Sequence, residues 1–161
     1  MIDAELVQYD EIDGKIRHAL DTFRKNDFQL LKTDAHEIAI THQIACYLKM
    51  YFSEWHVDCE YNRRGMESKT DLNGANMRPD IIIHERHDED NPSKRNNLLV
   101  IEIKKNYNDD DNDRRKLKEL TNKNGKDHYQ FGVFLCVSEK RPYDAKWDLY
   151  QNNEYVKTIT G

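Results

Sequence analysis

The 161-residue sequence predicts an α/β fold, a mixed central β-sheet flanked by helices. Three kinds of stretch carry that expectation. Ile81-Ile-Ile83 and Leu98-Leu-Val-Ile101 are apolar, β-branched runs of strand length, separated by Asn, Pro, Ser and Asp, which favour turns. Tyr129–Val137 is almost continuously apolar, as a strand is when helices cover both its faces. Amphipathic stretches before and between these runs repeat with the helical period.

In chain order, residues 3–25 carry a loose stripe of Leu6, Ile12, Ile16, Leu20 and Phe23, interrupted in propensity by Gly14, and predict a packing helix. The strongest helix lies over 34–55. Asp34 and Glu37 have capping-box spacing, and Ile38, Thr41, Ala45, Leu48 and Phe52 form one face, widened by Ile44, Tyr51 and Trp55. From His56 to Arg63, Val57, Cys59 and Tyr61 alternate with Asp58 and Glu60, as in a half-buried strand. Residues 65–77 form a long polar loop, and 87–97 a surface excursion. Asp109, Asp111 and Asp113 resemble the start of a calcium loop, but Arg114 replaces the turn glycine and Leu120 the closing acid. Acids at a helix N-terminus explain them better, with a helix over 110–122 bearing Arg114, Arg115, Lys116, Lys118 and Lys123. The tail, 147–159, adds a last strand or two. The whole reads as one domain: a packing helix over 1–30, a core over 34–138 and an extension over 139–161.

Composition narrows the function. The chain is 37% hydrophobic, 34% charged and carries a net charge of −5, so nucleic acid would have to be held by local basic patches. Cys46, Cys59 and Cys136 show no paired spacing and are expected to be buried free thiols of a reducing compartment. No run reaches membrane-spanning length and no signal-peptide pattern opens the chain; the expectation is a cytoplasmic protein with no membrane partner.

The charges in the strands carry the chemistry. Side chains alternate, so Glu102 and Lys104 share one face while Leu99, Ile101 and Ile103 take the other. An acid and a lysine inside an apolar strand are costly unless paired. Asp80 opens the neighbouring strand beside Pro79, and if the strands pair it converges on Glu102, with Lys104 beside them. Two convergent carboxylates repel, and Mg²⁺ (or Mn²⁺) relieves that repulsion through oxygen ligands. A neighbouring lysine orients a water or steadies charge on a phosphate, which points to metal-assisted phosphodiester hydrolysis. The plain alternative is a pair of ordinary strands, with Asp80 capping a turn and Glu102 and Lys104 forming a solvated pair. His36 and His42 are six apart and His84-x-x-His87 lacks further ligands, so neither pair predicts a zinc site.

Pro79-Asp80 followed by Glu102-Ile103-Lys104 resembles the signature of the PD-(D/E)XK nuclease superfamily. The order helix, three strands, helix, strand over 34–138 resembles its restriction-endonuclease-like αβββαβ core. The resemblance implies a Mg²⁺-dependent deoxyribonuclease in which Asp80, Glu102 and the Ile103 carbonyl ligate the metal and Lys104 positions the attacking water. It also implies that Glu37, on the first core helix, binds a second metal or a metal-bound water, where local spacing alone offers a helix cap. The glutamine and tyrosine that exonuclease families of the superfamily carry after the lysine are absent from 110–122. Arg63, Arg64, Lys69 and Arg78 around the long loop, and Arg114, Arg115 and Lys118 on the helix, are candidate contacts to DNA phosphates; solvated side chains are the competing reading. His84 shares the Asp80 face and is a candidate for the cleft wall. With no recognition domain visible, specificity would come from a homodimer, a partner subunit or DNA shape. The alternative function is a catalytically inactive binding or interaction module of the same fold.

Overall fold

A computed structural model of the chain describes residues 4–33, 35–60, 63–64, 67–68, 77–86, 90, 97–106, 109–140 and 145–161, with backbone only for 4–8, 63–64 and 67–68. It is an α/β structure with a six-stranded mixed sheet. Helix α1 (Ala4–Asp27) buries Ile12, Ile16, Leu20 and Phe23, the predicted stripe, while the Leu6 side chain lies outside the described residues. A single turn, α2 (Gln29–Lys32), leads to α3 (Glu37–Tyr51).

The start of α3 corrects an expectation. Asp34 lies outside the described residues, and the residue at the N-cap is His36, which makes no side-chain cap bond. Glu37 is therefore the first helical residue and not the third, so its carboxylate is not part of a capping box and is available elsewhere. The buried face of α3 runs through Ile40, Thr41, Ile44, Ala45 and Leu48, which turns Ile38 outward, 64% exposed.

Strands β1 (His56–Cys59), β4 (Ile81–His84), β5 (Asn97–Lys105), β6 (Phe131–Val137), β7 (Ala145–Gln151) and β8 (Glu154–Thr160) hydrogen-bond in that spatial order. A separate two-stranded hairpin pairs β2 (Arg63–Arg64), at the end of the predicted strand over 56–63, with β3 (Glu67–Ser68), inside the predicted long loop. Among the described strands only β5 and β6 run parallel; the other neighbours in the large sheet are antiparallel. A parallel pair needs a crossover, and α4 (Asp111–Thr121) supplies it.

The period of two sorts the strand residues between two cores. Ile81, Ile83, Leu99, Ile101 and Ile103 pack with α1 and α3. Ile82, Val100, Phe134 and Cys136 pack on the opposite face with Leu117 and Leu120 of α4. Gly132 lets α4 lie close, since a Cβ there would meet the Thr121 methyl at 3.0 Å. At the far edge, Asn152 and Asn153 both take positive φ, as a tight two-residue hairpin turn between β7 and β8 requires. Of the cysteines only Cys136 is buried; Cys46 falls on the outward face of α3 with Ile38, and Cys59 ends β1 in the open. Among the described residues no helix is long and apolar enough to cross a membrane.

Candidate functional site

Register brings the two predicted carboxylates together. Ile81 stands opposite Ile101, so the next step outward sets Asp80 against Glu102 across the β4–β5 pair. Asp80 is held at both ends. Its carbonyl accepts the Glu60 N–H at 3.1 Å, and its Oδ2 accepts the Ile103 N–H at 2.8 Å. In an extended strand a residue's N–H and C=O point the same way, so the Ile103 carbonyl also faces Asp80.

Glu102 is 1% exposed, on the face covered by α4. Lys116 Nζ stands 3.0 Å from Glu102 Oε1, a charge contact that leaves this oxygen without an aligned hydrogen bond. Burial pushes the Glu102 carboxyl well above its usual range, and the neighbouring Asp80 charge pushes it further. Burial also raises Asp80, against the opposing pull of the Ile103 N–H and of a hydrogen bond with Glu102. Such a pair favours one shared proton, or a cation in its place.

Lys104 lies on the same face and points into α4. Its Nζ is 2.9 Å from Asp113 Oδ2, 3.3 Å from Asp110 Oδ2 and 3.7 Å from Glu37 Oε1. Burial pulls its ammonium down, but the bonds and charges of Asp113, Glu37 and Asp110 outweigh that and hold it above its ordinary value. Local chemistry fixes these partners. Asp110 caps α4, its Oδ1 accepting from Asn112 N–H at 3.0 Å and Asp113 N–H at 3.1 Å, a cap of about 1 kcal/mol. Asp113 then falls on the buried side of the first turn, where it meets both Lys104 and, at 3.1 Å, Lys116. Glu37 arrives from α3, its Oε2 accepting the Lys105 N–H at 3.2 Å.

The cluster thus holds Glu37, Asp80, Glu102, Asp110 and Asp113 against the two ammonium groups of Lys104 and Lys116. That excess of acid attracts a cation and repels phosphate. Beside it opens a cleft of about 340 Å³ lined by Glu37, Ile38, Thr41, His42, Cys59, Glu60 and Asp80. Asp80, Glu102 and the Ile103 carbonyl are hard oxygen donors of the kind Mg²⁺ takes, one or two carboxylates with water completing the shell. The buried Glu102 Oε1, in charge contact with Lys116 but without an aligned hydrogen bond, fits that use. Among the described residues no three His, Cys, Asp or Glu side chains gather into a metal cage, so Glu37 does not complete one with Asp80 and Glu102.

Sequence reasoning missed Asp110, Asp113 and Lys116 as site residues. Their signal was present: positions 110, 113 and 116 recur at helical spacing on the side of Leu117 and Leu120, which must face the sheet. The basic residues divide. Arg114 is turned inward: its Nε is 2.5 Å from Asp109, its Nη1 is 2.6 Å from Asp148 and 2.8 Å from Tyr150 Oη, and it stacks 4.2 Å from the Phe134 ring. That corrects its expected place on a phosphate-facing surface. Arg114→Ala is expected to cost about 2–3 kcal/mol, because it strands Asp148 beside the β7–β8 pair; a chemical denaturation midpoint unchanged from wild type would contradict this.

Arg115 is exposed but bonded to Glu119 and Asn112, Lys118 is exposed on α4, and Arg78 is exposed two residues before Asp80. Lys69 and the side chains of Arg63 and Arg64 lie outside the described residues.

His84 shares the Asp80 face but does not line the cleft. Its ring is buried and its Nε2 lies 2.7 Å from Asp58 Oδ2, with Arg86 bracing the same carboxylate. Burial works to raise Asp58, yet the bonds from Arg86 and His84 bring it down from 3.8 to about 2. Its contribution to stability is whole above pH 3.8 and lost as pH falls toward 2. Asp58→Asn should therefore flatten the acid limb of a pH–stability curve, and an unaltered limb would show that Asp58 is not the group titrating there.

No protein-family model, curated protein or solved structure matches the chain.

Proposed function

We propose that the chain is a Mg²⁺- or Mn²⁺-dependent deoxyribonuclease with a restriction-endonuclease-like core. The observation that carries this reading is the pairing of Asp80 with Glu102 across two strands, with Lys104 on the same face. The element order α3, β1, β4, β5, α4, β6 agrees with it, leaving aside the small hairpin.

In this reading Asp80, Glu102 and the Ile103 carbonyl hold the metal. When bound, the metal supplies charge neutralisation, polarisation of a phosphoryl oxygen and a more acidic water. Lys104, kept protonated by its three acids, donates a hydrogen bond to the attacking water or to the phosphate and does not act as a base. Glu37 holds Lys104 and the Lys105 amide in place and acts on the reaction through them. The exposed Arg78, two residues before Asp80, and Lys118, on the outward side of α4, supply phosphate contacts. A homodimer or a partner subunit supplies specificity.

Purified protein incubated with linear, circular and branched DNA should cleave with Mn²⁺ and not with EDTA, and Asp80→Ala should be inactive. The competing reading is a binding module of the same fold. A metal that binds the folded state must raise its melting temperature. No shift between EDTA and millimolar Mn²⁺, with no cleavage of any substrate, would favour the module.

A further inference from the structure

Lys116 belongs to the cluster but is not explained by the motif. Its side chain is 17% exposed, and its ammonium sits 3.0 Å from Glu102 Oε1 and 3.1 Å from Asp113 Oδ1. The Glu102 oxygen it faces is fully buried and has no well-aligned hydrogen bond, and the ammonium is its charge partner. Asp113 turns its other oxygen to Lys104 at 2.9 Å, which fixes the acid between the two lysines. A divalent ion on the Asp80–Glu102 pair and an ammonium at contact distance from the same glutamate would repel each other strongly.

We propose that Lys116 is an internal counter-ion for Glu102, which a divalent metal displaces and which then turns to the phosphate of the bound nucleic acid. The proposal rests on the nuclease reading of the site. Displacement needs only a rotamer change. Asp113 lies three residues back on the same helix and keeps its hold on the ammonium after Glu102 has been given up, so α4 need not move. One consequence is that metal binding frees a cation beside the reacting centre, where the acid-rich cluster otherwise repels a phosphate. A second is that a monovalent ion, with half the charge, competes poorly against a tethered ammonium.

The test is a Mn²⁺ titration of the full chain by calorimetry, without nucleic acid. Lys116→Met should bind Mn²⁺ on the order of ten-fold more tightly than wild type, since the competing cation is gone. Lys118→Met removes the same charge from the exposed side of α4 and should change the affinity far less. Lys116→Arg retains the charge and should not gain. Equal affinities for the Lys116→Met and Lys118→Met proteins, or weaker binding by the former, would overturn the proposal and leave Lys116 as a structural ion pair. Should Lys116→Met not fold, Lys116→Gln is titrated in its place, with the same outcomes deciding. Absence of Mn²⁺ binding by wild-type protein would instead remove the nuclease reading, and this inference with it.

Discussion

Lys104→Ala is expected to lower the rate of DNA cleavage at least about 100-fold, the usual scale for losing a positioned donor at a developing charge. The fold should survive. Lys104 stands near the end of β5, is 20% exposed, and its alanine leaves the apolar partners of the strand untouched. It does leave Asp113, Asp110 and Glu37 without their shared cation. Some stability will be lost, and less of it at high ionic strength. Single-turnover cleavage, with circular dichroism on the same samples, separates the two effects. Near-normal turnover in a folded Lys104→Ala protein would remove the lysine from the mechanism. Lys104→Arg should recover stability better than rate, because guanidinium can satisfy the acids but carries its donors in a different geometry.

Asp80→Asn should do the opposite to stability. Among the described residues no cation is in contact with Asp80, which faces Glu102 and feels Lys116 only as a weaker, more distant charge. Burial above all raises both carboxyls above their ordinary values of 3.8 and 4.5. A raised carboxylate favours the folded protein fully only below its unfolded value, and that advantage is lost as pH rises through the folded one. Wild type in EDTA should therefore lose stability as pH climbs from about 4 toward neutrality. The asparagine can still accept the Ile103 N–H while its amide donates to Glu102, so the repulsion disappears. A gain of about 1 kcal/mol near pH 7 is expected, or roughly 2–4 °C in melting temperature for a domain of this size. The same variant should lose any stabilisation by Mn²⁺. A lower melting temperature than wild type in EDTA would mean that Asp80 is stabilising as a charge, contrary to its surroundings.

Much of this was legible because strands obey a period of two. That period alone put Glu102 and Lys104 on one face and Ile101 and Ile103 on the other, and the core clusters divide the same way. Facing Asp80 against Glu102 needed only antiparallel pairing of neighbouring runs. The helices were harder, since a helix can be rotated without changing its composition. Asp34 and Glu37 have the form of a cap, yet the N-cap is His36, two residues later, and the buried stripe through Ile40, Ile44 and Leu48 leaves Ile38 exposed. On α4 the run of cations resembled a solvated basic face; tertiary contacts instead turned Lys116 toward Glu102 and Arg114 toward Asp148. Nothing local distinguishes an arginine that seeks phosphate from one that seeks a buried aspartate 34 residues away.

The lysine side of the cluster is written almost contiguously. Lys104, Asp110, Asp113 and Lys116 lie on one β5–α4 passage, whereas the Asp80 bond to Ile103 spans 23 residues and the Glu37 bond to Lys105 spans 68. Closing a longer loop costs more chain entropy and slows the contacts that depend on it. During refolding the ammonium–carboxylate half can therefore assemble first. The ligand aspartate docks later, and protection of the Ile103 amide from hydrogen exchange would time its arrival.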